Sequence, residues 1–266
     1  MSAVTTPATD RVGDRIVELL SAFKLPTAAR EMVPRLRSAG RGDLLPDLLE
    51  ILELEAGDRR ERRVDRLLRA SKLPPGKTFA NLDDKRFPAL LSQKLRELAR
   101  GDFVEQSVNV LAFGLPGVGK SHACCALGHA LVEAGRSVLF TPTYALVQEL
   151  LAAKRDLALP RALRRLDLFD VLILDDLGYV QQQAEETEVL FTLLAERYER
   201  RSMVITSNLV FSQWEQIFKN PMTTAAAIDR VVHHSVILEF DVPSYRTEKA
   251  SRRKAKAAAE GADPKS

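Results

Sequence analysis

Cysteine is nearly absent: the 266 residues hold two, and these are neighbours, Cys124 and Cys125. Adjacent cysteines on one predicted helix make no disulfide framework, which suits a reducing compartment. Long apolar runs are absent too, none approaching the roughly 18 residues of a membrane span. The first ten residues lack the basic-then-apolar pattern of a secretory leader. The expectation is a cytoplasmic protein with no membrane partner. There is no internal repeat, no Asn-Lys-x-Asp motif for reading guanine, and no stretch resembling the lid of a small-molecule kinase. Net charge is low, +3, but unevenly spread. Residues 1–100 carry 20 Lys and Arg against 15 Asp and Glu, and residues 246–266 carry 7 against 3. Two basic ends around an acidic middle point to a polyanionic partner. What remains is the composition of a soluble globular chain, 45 % hydrophobic and 28 % charged, long enough for one full domain and a smaller one.

The chain is organised around residues 108–121. A short apolar run, residues 108–113, reads as a buried strand and breaks at Gly114 into Gly-x-x-x-x-Gly-Lys-Ser. This is the phosphate-binding loop, and it sits in its confirming context, after a strand and before a helix over residues 121–133. Phosphate needs close backbone approach, successive N–H groups pointing into one concavity, and the positive end of a helix. The residues placed on ATP are Gly114, Pro116, Gly117, Val118, Gly119, Lys120 and Ser121. Lys120 would bridge the β- and γ-phosphates, and the Ser121 hydroxyl would hold Mg²⁺.

Before this loop the periodicity is helical. Val12, Ile16, Leu19, Leu20 and Phe23 predict a helix over 10–24, followed by a short one over 27–38. A long helix is expected over 43–71, with Gly57 inside it at a cost of about 1 kcal/mol relative to Ala, so that a bend or break there is open. Leu73-Pro-Pro-Gly76 stops it. Arg59, Arg62, Arg63, Arg66 and Arg69 share one face of that helix. They read either as a solvated face partly paired with Glu61 and Asp65 or as a stripe tracking DNA phosphates. The division expected is a helical module over 1–75, a linker over 76–106 with one helix at 87–100, a nucleotide-binding domain over 107–245, and a basic tail over 246–266, disordered or helical only on binding. After the loop, strands at 137–141, 170–176, 202–208 and 235–240 alternate with helices at 142–154, 185–201 and 224–232. That alternation predicts an α/β fold, a central parallel sheet covered on both faces.

Two further stretches carry chemistry. Residues 171–174 are a buried strand ending in Asp175 and Asp176. A phosphate-loop ATPase needs one carboxylate for the Mg²⁺ shell and a second to orient the attacking water, roles that fit Asp175 and Asp176 in turn. Asn208 ends the strand over 202–208, where it is either a turn-former or a ligand of the γ-phosphate or water. His122, Cys125 and His129 share one helical face. Packing against the rest of the fold accounts for them better than metal binding. Trp214, the one tryptophan, reads equally as a core anchor or a partner contact.

Together the phosphate loop, Leu-Asp-Asp, Thr-Ser-Asn and Asp229-Arg230 resemble an AAA+ ATPase. More closely, the chain resembles the IstB-type transposition helpers, which are similar to DnaC-type helicase loaders. The match covers most of residues 44–246. It rests on Gly-Lys-Ser-His122, Ala126-Leu-Gly-His-Ala130, Arg197-Tyr198, Ile205-Thr-Ser-Asn208, Phe211-Ser-x-Trp214, Ile228-Asp-Arg-x-x-His-His234 and Ser244-Tyr-Arg246. The resemblance implies that Asn208 is a sensor and that Arg230 is an arginine finger reaching a neighbouring subunit's ATP; the alternative for Arg230 is a local pair with Asp229. It also implies homo-oligomers, as a ring or a helix, that assemble on duplex DNA in the ATP state and recruit a DDE-type transposase. A replicative helicase loader is the alternative function. Two departures stand out. Asp176 replaces the usual Glu and is one methylene shorter, which suits slow hydrolysis. Only 21 residues follow Tyr245, too few for the helical lid of many AAA+ proteins, a role for which Arg246 is a substitute.

Overall fold

The structure is a computed structural model describing residues 8–178, 183–218 and 221–245. The expected tail over 246–266, with Arg246, lies outside the described residues. The chain divides into two compact units, residues 1–65 and 66–266, each with its own core.

The first unit is helical. It holds α1 (Ala8–Ala22), α2 (Pro26–Ser38) and the first part of α3 (Leu45–Ser71). Ile16, Leu20, Ala29, Val33 and Leu45 form its core, with Leu48, Leu49 and Leu52 packed against them. These are the apolar positions that the helical period selects. Gly57 does not break α3, which runs as one helix of 27 residues. The unit boundary falls inside this helix, after Asp65, and not at residue 75.

The second unit is a five-stranded sheet, all parallel, in the order β2-β3-β4-β1-β5. Two helices, α4 (Ala89–Leu98) and α5 (Asp102–Glu105), lead into β1 (Asn109–Gly114). Then come α6 (Lys120–Glu133), β2 (Val138–Pro142), α7 (Thr143–Arg155), α8 (Leu159–Leu166) and β3 (Val171–Leu177). The chain continues through α9 (Ala184–Arg197), β4 (Ser202–Ser207), α10 (Glu215–Phe218), α11 (Pro221–Val232) and β5 (Ser235–Phe240). The strands are apolar almost throughout because both faces are covered. Leu172 and Leu174 face the layer holding α7, α9 and α11. Ile173, between them, meets α6 so closely that a Cβ at Gly128 would lie 2.7 Å from its Cδ1.

Residues 76–106, expected as a linker, are packed into this unit: Phe87, Leu91, Leu95, Leu98 and Phe103 are all buried. The short α8 was not foreseen, although Pro160 stands in its first turn, a position proline favours. Among the described residues, no helix is long and apolar enough to cross a membrane.

Candidate nucleotide-binding site

The carboxyl ends of β1, β3 and β4 meet at one cleft of about 450 Å³. Ligands of open parallel sheets bind at this edge. The loop after β1 supplies Pro116, Gly117, Val118, Gly119, Lys120 and Ser121 to its wall, and β3 and β4 supply Asp176 and Asn208. These residues lie far apart in the chain, and the sheet brings them to the same opening.

The loop's shape depends on glycine at two places. At Gly114, φ is +152° and a Cβ would sit 2.5 Å from the carbonyl oxygen of Phe240. At Gly119, φ is +106° and a Cβ would press on the Phe87 ring at 3.3 Å. Gly119 caps α6, so the first turn of that helix opens directly onto the cleft. Its unpaired N–H groups and its dipole both favour an anion there. Lys120 is 5 % exposed. Its Nζ donates to the carbonyl oxygens of Gly114 (2.6 Å) and Leu115 (2.9 Å), which satisfies a buried ammonium within the loop.

The two aspartates lie together in an irregularity of the sheet. The β3–β4 register shifts between Leu174 and Leu177, and Asp176 takes a left-handed conformation with φ +58°. A non-glycine residue there stores strain and survives only where neighbours hold it. Thr206 of β4 is the neighbour. Its hydroxyl donates to Asp175 Oδ1 (2.7 Å) and accepts from the Asp176 backbone N–H (2.8 Å). Thr143 holds the other side, donating to the Asp175 carbonyl oxygen at 2.9 Å. The bulge therefore points consecutive carboxylates to different tasks: Asp175 is tied to the sheet, and Asp176 lines the cleft.

Asn208 stands on a turn that is equally fixed. Ser207 Oγ donates to the Leu177 carbonyl oxygen (2.8 Å) and accepts from the Leu209 N–H (3.0 Å). Trp214 is fully buried beneath, its indole N–H donating to the Leu209 carbonyl oxygen at 3.2 Å. Its ring packs against Phe113 and Phe218. Trp214 is thus a core anchor of this turn.

The far wall of the cleft carries residues that motif reading missed: Lys77, Asn81, Leu82, Asp83, Arg86, Phe87 and Tyr245. The Arg86 guanidinium lies 5.2 Å from the Tyr245 ring centroid and donates to the Pro243 carbonyl oxygen at 3.2 Å. The Tyr245 N–H donates to Gly117 (3.0 Å), so the wall is tied to the phosphate loop itself.

On α6, His122 and His129 donate their Nε2 protons to the carbonyl oxygens of Thr78 and Pro74, each at 3.2 Å. Burial pushes the Cys125 thiol up to about 12, with Asp175 adding to the rise and Lys77 opposing it. Burial raises the Cys124 thiol as well. Both histidines are thus hydrogen-bonded to neighbouring backbone, and both cysteines are buried.

Arg230 lies on α11 and does not line this cleft. Its guanidinium stacks 4.6 Å from the Phe191 ring centroid, and its Nη1 is buried with no hydrogen-bond partner among the described residues. Arg59, Arg62, Arg63, Arg66 and Arg69 of α3 are all exposed. Arg59 stacks on Phe23 at 4.2 Å and pairs with Glu55, while Arg62 lies 3.6 Å from the same carboxylate.

The comparisons with known proteins agree with this geometry. A family described as IstB-like ATP binding protein matches residues 20–255. An insertion sequence ATP-binding protein of Sinorhizobium fredii is 46 % identical over 208 residues, 78 % of this chain and 70 % of that protein. The insertion sequence IS21 ATP-binding protein of Pseudomonas aeruginosa is 37 % identical over 230 residues, 86 % of this chain and 87 % of the relative. Among solved structures, DnaI superposes with a TM-score of 0.53 at 20 % identity, covering 64 % of this chain and 95 % of DnaI. The replication initiator DnaA bound to AMPPCP and single-stranded DNA gives 0.55 at 15 % identity, covering 68 % of this chain and 56 % of DnaA. At such identities the structural likeness establishes the AAA+ fold.

Proposed function

The chain belongs to the IstB-like ATP-binding protein family, and from that premise we propose that it is an ATP-dependent, DNA-binding regulator of transposition. In this reading ATP drives assembly of several copies on duplex DNA. The assembly recruits the transposase of its own element, and hydrolysis releases it. The observation that carries the reading is the single cleft that gathers phosphate loop, paired aspartates and Asn208 in a chain of this family.

The residues divide the work. The N–H groups of the loop and the first turn of α6 bind the phosphates. Lys120 exchanges its two carbonyl partners for phosphate oxygens. Ser121 and Asp175 offer hard oxygen ligands at the start of α6 and the end of β3, a donor set that fits Mg²⁺. Bound there, Mg²⁺ neutralises phosphate charge. Asp176 orients the attacking water, and Asn208 contacts the γ-phosphate. Thr206 is a positioning residue: one hydroxyl fixes the Asp175 carboxylate and the Asp176 backbone together. Arg86, Phe87 and Tyr245 form the wall against which the base packs. Arg230 leaves the Phe191 ring to reach the ATP of an adjacent subunit, where its unpartnered Nη1 finds an acceptor. Arg59, Arg62, Arg63, Arg66 and Arg69 lie along the DNA backbone. Asp176, with its short reach, makes hydrolysis slow, which suits a switch whose ATP-bound lifetime matters more than its turnover.

The test is the coupling of the two ligands. Lys120→Ala is expected to abolish the ATP dependence of duplex-DNA binding. If that variant binds DNA as the parent does, with and without ATP, the switch is excluded. A preference for single strands over duplex would instead favour a helicase loader.

A further inference from the structure

The opposite edge of the sheet, where β4 and β5 begin, carries a second constellation. Glu199 sits on the turn from α9 to β4, and His233 and His234 form the turn from α11 to β5. The two turns are far apart in sequence and meet only in the fold. One ligand atom from each of the three side chains lies within 4.8 Å of the others. His234 Nε2 is 3.4 Å from Glu199 Oε1, and the two imidazole rings stand edge to face at 4.4 Å. We propose that Glu199, His233 and His234 form a binding site for a divalent transition-metal ion of the zinc class.

Three features of the geometry support this. The first is spacing. Zinc binds imidazole nitrogen and carboxylate oxygen at about 2.0–2.2 Å, and tetrahedral angles then place two ligand atoms roughly 3.4 Å apart. The His234–Glu199 pair already has that separation. The remaining gap closes by rotation of exposed side chains. The second is the donor set. Two imidazoles and one carboxylate suit zinc, and three protein ligands leave a fourth position open.

The third is a backbone held in place for the purpose. Buried Asn109, at the start of β1, ties both turns together. Its side-chain Nδ2 donates to the Val231 carbonyl oxygen (3.2 Å), and its Oδ1 accepts from the Met203 N–H (2.9 Å). Its own N–H donates to the His234 carbonyl oxygen at 2.8 Å. Glu199 has φ +55°, a strained conformation for glutamate that turns it away from the strand that follows. Tyr198 adds an outer contact, its hydroxyl 3.4 Å from His233 Nδ1. Contacts of this kind orient ligating imidazoles.

The site does not depend on the nucleotide reading, since it shares no residue with the cleft. Its consequence lies on α11. Arg230 is one turn before the two histidines, so an ion held there pins the end of the helix that carries Arg230 to the end of α9. The open fourth position takes water or a donor from another chain.

The experiment is a zinc titration of the chelator-stripped full chain, without nucleotide, read by competition with a chromophoric chelator. The expected result is one zinc per chain, weakened at least about tenfold by His233→Ala, by His234→Ala and by Glu199→Gln. These side chains are exposed, so each variant should keep its far-ultraviolet circular dichroism. Cobalt(II) gives a second readout: the parent should show the visible absorption of a four-coordinate site, and His234→Ala should lose it. No stoichiometric zinc binding would overturn the proposal. Binding that survives the double substitution His233→Ala/His234→Ala would overturn it equally.

Discussion

The two edges of the sheet are built in different ways. At the carboxyl edge the turns that carry the cleft residues are held by hydrogen bonds to their neighbours. Thr206 fixes Asp175 and Asp176, Ser207 and Trp214 fix the Asn208 turn, and Tyr245 is tied to Gly117. At the amino edge, Glu199, His233 and His234 are exposed on turns, and only the backbone beneath them is fixed, through Asn109. Arg230, one turn away, is held by a ring stack and has a buried nitrogen without a hydrogen-bond partner among the described residues. The carboxyl edge is braced by contacts within one chain. The amino edge is arranged to be completed from outside, by an ion or by a neighbouring subunit.

That contrast makes graded predictions. The largest effect should come from Arg230→Ala, a loss of about 10³–10⁵ in the turnover of the assembled protein. Nucleotide affinity of isolated subunits should not change, and fluorescent-nucleotide titration checks this. Normal turnover in that variant would erase the distinction between the edges. Asp176→Asn should lower turnover by about 10²–10⁴ while ATP still binds and the DNA complex persists. Single-turnover kinetics would separate the two effects, and unchanged hydrolysis would remove Asp176 from its role. Lys120→Ala should weaken nucleotide binding by about 10–100-fold, the worth of a charge-assisted hydrogen bond or two. A mixture of Lys120→Ala and Arg230→Ala chains sharpens the comparison, because activity should reappear where an intact cleft meets an intact Arg230.

Smaller effects test how the edges are positioned. Thr206→Val keeps the shape but removes both hydrogen bonds, and should raise the Mg²⁺ concentration needed for tight nucleotide binding by about tenfold. Thr206→Ser should restore it, whereas a purely structural role would leave Mg²⁺ dependence unmoved. On α3, the double substitution Arg62→Ala/Arg66→Ala should lower the salt slope of duplex binding by about two, one per phosphate contact. An unchanged slope would return those arginines to a solvated face.

How legible each edge was follows from where its information lies. The phosphate loop, the aspartate pair and Asn208 stand within short stretches whose spacing encodes their geometry. The strand order then only had to bring them together. The wall from Lys77 to Phe87 was read as a linker because its contacts run to Tyr245 and the loop, far along the chain. The Thr206 bridge was hidden because it crosses from β4 to a bulge in β3 that no periodicity announces. Trp214 could not be assigned from one residue type, and its burial under Leu209 settles it. The Glu199 cluster was not legible in the sequence, because only the fold brings the carboxylate to the two adjacent histidines. The continuity of α3 through Gly57 shows the opposite case: a local penalty of about 1 kcal/mol is outweighed by a long helix around it.

The most direct measurement is the mass of complexes on duplex DNA without nucleotide, with ADP, and with a non-hydrolysable ATP analogue, at two salt concentrations. The account predicts large assemblies only with the ATP analogue, weakening steeply as salt rises. Assemblies of the same size in all three nucleotide states, or binding confined to single strands, would contradict it.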